Sequence, residues 1–158
     1  RPIAAVPVGL FITFFQSHGP EIGLLSFVAF AAMFGLGALI ASRTERTMLP
    51  LGLAALISLG LAGAALTQSQ TMQITLFLSV VAFWASIAGI YELYLAWRAG
   101  LAERAGRDLL ISSVLTFGLA LLFLVGNLDI VSAVGFFGAY LILLGVHWGI
   151  AAAGPQAK

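Results

Sequence analysis

The chain has 158 residues, of which 61% are hydrophobic and only 8% charged, with a net charge of +1 and a mean hydropathy of +1.10. Soluble domains carry about a quarter of their residues as charges, so the composition excludes a water-soluble globule and points to an integral membrane protein. The lack of cysteine excludes disulfides, thiolate metal sites and thiol nucleophiles, and so small a net charge offers no footprint for nucleic acid.

Apolar stretches long enough to cross a hydrocarbon core of about 30 Å recur along the chain, and none alternates as a barrel strand would. The expected fold is therefore all-α, a polytopic bundle of six transmembrane helices in one domain spanning 1–158. The spans are expected at 2–16, 21–41, 48–66, 72–97, 109–126 and 129–153, separated by short polar breaks. All seven Lys and Arg residues (Arg1, Arg43, Arg46, Arg98, Arg104, Arg107 and Lys158) fall at the ends or in the second and fourth breaks. Under the positive-inside rule this places both termini in the cytoplasm. The same parity requires the short first span, with its Pro7, to cross.

Internal similarity is also visible. Gly-Leu pairs recur in the odd spans, in "VGLFITFFQSH" at Gly9, "LGLAGAALTQSQ" at Gly60 and "FGLALLFLVGNLD" at Gly118. The even spans carry "VAF" or "VGF" and then a glycine: "VAFAAMFGLG" to Gly37, "VAFWASIAG" to Gly89 and "VGFFGAYLILLG" to Gly145. This pattern predicts three helical hairpins, roughly 1–44, 48–98 and 107–153. Small residues let membrane helices approach closely, so these six glycines are expected at helix contacts.

The segments "RPIAAVPVGLFITFFQ", "RDLLISSVLTFGLALLFLVGN" and "VGFFGAYLILLGVHWGIAA" resemble the HdeD-like membrane proteins of bacteria, built from a short repeated segment. The resemblance implies six helices in the bacterial inner (plasma) membrane and a link to acid stress. It supplies no catalytic or ligand residues.

One ionisable group stands inside a span. In "GIYELYLAWRAG", Glu92 lies six residues before Arg98, hence about 9 Å along a helix. Ala82, Ala85, Gly89, Glu92 and Ala96 recur at steps of three and four and share one face, so Glu92 is expected to look toward other helices. A lone charge there is costly and needs a partner, a wet cavity or a shifted pKa. Arg98 is off-face on the same helix. His147, at a similar depth in the sixth span, is the expected partner, which would make a pH-responsive pair, with Tyr140 extending the polar row inward. Trp97 and Trp148 are expected at the interface and Trp84 deeper. His18, Glu21 and Asp129 are expected on the outer face.

No nucleophile, base and orienting group stand at motif spacing, and no metal-ligand spacing such as HExxH occurs. The expectation is a protein without catalysis, cofactor or metal, whose partners are the lipid bilayer and either a second copy or a larger membrane complex. The first reading is an HdeD-like structural or stress-related membrane component. The alternatives are a small proton-coupled channel or transporter using Glu92 and His147, and an accessory subunit of a membrane complex. The first alternative requires a water-accessible Glu92, and the other two readings require a dry, paired one.

Overall fold

A computed structural model describes residues 2–15 and 18–154, and over these the chain is helical. The elements are α1 (Pro2–Phe14), α2 (Pro20–Ala41), a 3₁₀ turn (Arg46–Met48), α3 (Leu49–Ala65), α4 (Gln70–Ala99), α5 (Arg104–Val125) and α6 (Ile130–Ala153). Five segments are long and apolar enough to cross a membrane: α2, the 3₁₀ turn with α3, α4, α5 and α6. Helix α1 is apolar, but its 13 residues rise only about 20 Å. Outward faces are apolar throughout, as Leu36, Ile40, Ile57, Leu124 and Ile150 show, and such a surface suits lipid rather than water.

The helix ends follow local chemistry. Proline opens α2 and stands in the first turn of α3, where its missing N–H costs nothing. Helix α4 ends at Gly100, whose φ of +88° only glycine adopts without strain. Gly106 then packs so tightly on the Gly100 carbonyl that a β-carbon has no room, which fixes the sharp turn into α5. Asp129 caps α6 by accepting from the Ser132 hydroxyl at 2.6 Å and the Ser132 N–H at 3.1 Å.

Those two bonds, the hydroxyl first, hold the Asp129 carboxyl below its ordinary pKa. A lowered folded pKa means that the cap is at full strength above the ordinary aspartate value near 4 and weakens as pH falls through the lowered one. Amide exchange in the first turn of α6 is therefore expected to quicken only in that acid range, and Asp129→Ala to make it fast at every pH.

The most extensive pairings are α4 with α5, α2 with α3, and α1 with α6. Each runs between neighbouring members of the three expected hairpins or joins the first helix to the last. Helix α1 lies antiparallel to α6, with Val6 on Gly145, Gly9 on Ile142 and Ile12 on Gly138. The centre is aromatic: Phe27, Phe30 and Phe34 of α2 meet Trp84 of α4, Phe27 and Phe30 also meet Phe137 of α6, and Trp84 meets Tyr140 of α6. The Phe30 and Trp84 rings stand edge to face, 5.0 Å apart at 85°. Contacts of this geometry are worth about 0.5–1.5 kcal/mol beyond buried area, and lipid supplies no hydrophobic force between helices to replace them. Helices α2, α4 and α6 thus form the middle.

Candidate functional site

Eight residues beyond the central rings of Phe30, Trp84 and Phe137 stand Ala38, Glu92 and Gly145. Ala38 meets Gly52 of α3, and Gly145 meets Val6 of α1. Where these two helix pairs close on small residues, α4 and α5 close around a carboxylate. Glu92 is 4% exposed, and its Oε2 accepts from the Ser112 hydroxyl at 2.7 Å.

The arrangement around it is ordered from α5. Ser112, Ser113 and Thr116 are all buried and lie on one face, being one, three and four residues apart. Ser113 donates to the Gly89 carbonyl at 2.9 Å, and Thr116 shares a hydrogen bond with the Tyr140 hydroxyl at 3.0 Å. Ser112 does double duty, because its oxygen also accepts from Trp148 Nε1 at 3.2 Å. The indole can only donate, and a serine has one proton to give. The row therefore has a fixed sense, from Trp148 to Ser112 to Glu92.

Of the residues expected at this site, His147 is engaged elsewhere: its Nε2 lies 2.8 Å from the carbonyl oxygen of Asp108. Its neighbour Trp148 reaches Glu92 through Ser112. The two side chains diverge because adjacent helix positions point about 100° apart. Tyr140 is buried as part of the same polar face, through Thr116, and stacks on Phe137. Trp97 is 73% exposed, at the end of α4.

The six glycines divide. Gly9, Gly89 and Gly145 press against neighbouring helices, Gly89 against the backbone of Phe117. Gly37, Gly60 and Gly118 are exposed, and a β-carbon on any of them would meet nothing within 4 Å. The expected packing role is corrected for these three: their recurrence in the sequence does not put them on a contact face. Gly35 and Gly52 occupy the α2–α3 contact instead.

The sequence alone gives the α5 hydroxyls no distinct role, though "ISSVLT" places three of them in an apolar run. Their signal is weak for a physical reason. Such hydroxyls commonly bond their own helix, as Thr13 does to Gly9 and Ser79 to Thr75.

Among the described residues, no three His, Cys, Asp or Glu side chains converge as a metal site would need. Ser26 Oγ, Ser58 Oγ and Trp84 Nε1 are buried there without a hydrogen-bond partner. Compared with known proteins, the chain matches no family model, no curated protein and no solved structure. The site must be read from its own chemistry.

Proposed function

We propose that the chain is an integral protein of a bacterial inner membrane, of the HdeD-like kind, serving as a structural or stress-related component without catalysis. The observation that carries this reading is the state of Glu92. A carboxylate 4% exposed and already held by Ser112 is suited to fastening helices, not to exchanging an ion with water. The sense of the row supports the same reading: an indole N–H cannot accept a proton, so Trp148 ends any relay through Ser112.

Other features support the finer points. The arginines at the ends of α2, α4 and α5, with the positive-inside rule, favour both termini in the cytoplasm. The antiparallel contact of α1 with α6 favours a sixth crossing, the shortness of α1 being met by a locally thinned bilayer. The equivalent places of Ala38, Glu92 and Gly145 favour three repeated hairpins.

The reading is tested by proton flux into liposomes holding the purified protein. No flux dependent on Glu92 is expected. A flux carried by the natural chain and abolished by Glu92→Gln would overturn the proposal in favour of a proton-coupled channel. Native mass spectrometry after gentle extraction separates the remaining alternative, since other subunits at fixed ratio would make the chain an accessory of a larger complex.

A further inference from the structure

The arginine-bearing end of the bundle carries an open hollow of about 410 Å³ between the 3₁₀ turn, the start of α5 and the end of α6. Its walls include Glu45, Met48, Asp108, Leu109, Trp148 and Ala151. Small-molecule sites are typically hollows of roughly 300–1,000 Å³, mostly apolar with a few placed polar groups. This one fits that description.

Its walls are held in place from three sides. His147 Nε2 meets the Asp108 carbonyl at 2.8 Å and ties α6 to α5. The Tyr91 hydroxyl donates to the Thr47 carbonyl at 3.1 Å and ties α4 to the 3₁₀ turn. Trp148 is anchored through its N–H to Ser112. A preformed hollow of this kind spares a ligand the cost of ordering its site.

The lining chemistry is selective. Although arginines surround this end of the bundle, none lines the cavity among the described residues. The ionisable residues of the lining are Glu45 and Asp108, beside Trp148 and otherwise apolar residues. Arg104 reaches Asp108 only at 3.8 Å, with both side chains partly exposed, and such a pair is worth little. Carboxylates with an aromatic ring in an apolar hollow suit one class of guest, an organic ammonium whose charge faces the acids and the ring and whose carbon body fills the rest.

We infer that this cavity binds an organic ammonium group, with Glu45 and Asp108 as counter-charges and Trp148 as the aromatic wall. Two sources can present that group at a membrane surface: the headgroup of a choline or ethanolamine phospholipid, and a free amine. The site stands apart from the reading of Glu92, although the two share Trp148, so flux and ligand binding can fail separately.

The test titrates choline against the full chain in an uncharged detergent, following tryptophan fluorescence in Trp97→Phe protein, where Trp84 and Trp148 remain. A saturable change is expected, absent with the uncharged isostere in which carbon replaces the quaternary nitrogen. Glu45→Gln with Asp108→Asn is expected to weaken binding at least about ten-fold, the factor that 1.4 kcal/mol represents. Equal binding of the isostere, or no saturable change with choline, overturns the inference, and both comparisons use acids left intact, so they stand even where the double variant misfolds. Repeating the titration in bilayer discs with and without ethanolamine phospholipid assigns the source: competition identifies the headgroup, and its absence a soluble amine.

Discussion

Glu92→Lys is expected to abolish assembly of the bundle, whereas Glu92→Gln is expected to leave it nearly intact. Glutamine keeps an oxygen where Ser112 donates, so the bond at 2.7 Å survives as a neutral one. Lysine has no acceptor, carries a charge into a site 4% exposed, and leaves the Ser112 proton without its partner. An uncompensated buried charge costs about 3–5 kcal/mol, a large share of the 5–15 kcal/mol by which proteins are usually stable. Ser112→Ala should fall between the two, because it strips a buried donor at a cost of about 1–3 kcal/mol. The measurement is the yield of monodisperse protein in detergent together with its Tm. Equal behaviour of the natural, Gln and Lys proteins would mean that the side chain at position 92 escapes to the interface.

The second large effect is expected at Gly89, and its control is one helix away. A β-carbon on Gly89 would lie 2.9 Å from the Phe117 backbone nitrogen and 3.1 Å from its Cα. Backbone cannot swing aside as a side-chain tip can, so Gly89→Ala must push α4 from α5. The push would also stretch the Ser113 bond to the Gly89 carbonyl. Overpacking of this kind costs typically about 1–3 kcal/mol. Gly118→Ala, in open space on the outer face of α5, should be neutral or stabilising by up to about 1 kcal/mol, the ordinary helix preference for alanine over glycine. Thermal unfolding of the two variants side by side decides the point. A lower Tm for Gly118→Ala than for Gly89→Ala would show that the outer face, not the α4–α5 seam, is the constrained one.

Five of the apolar spans were legible because each is a long unbroken run, and their limits were less so. Helix α5 begins at Arg104, ahead of the apolar stretch, since Arg104 and Arg107 are good helix formers that hydropathy discounts. Helix α4 runs to 30 residues for the same reason at both ends. The inward orientation of Glu92 could be read from the small residues that share its face, because that inference needs only the period of one helix. Its partner could not. Depth along an axis is written in the sequence, but which helix lies beside α4 and how it is rotated are set by packing, and the hydroxyl that Glu92 accepts from belongs to Ser112 of α5. The glycines failed in the same way, since Gly60 and Gly118 recur as Gly9 does and differ only in which way they face.

The seam between α1 and α6 bears on the order of events at the ribosome. Of the helices described, α1 is made before the other five, yet its most extensive partner is the one made after them. Until α6 arrives, the larger of its contacts is missing, and Gly9 and Ile12 have no Ile142 or Gly138 to close upon. This seam therefore closes late, between segments far apart in the sequence. A chain stalled before Ile130 would leave it open, with a short, loosely held helix for the quality-control proteases of the membrane to find.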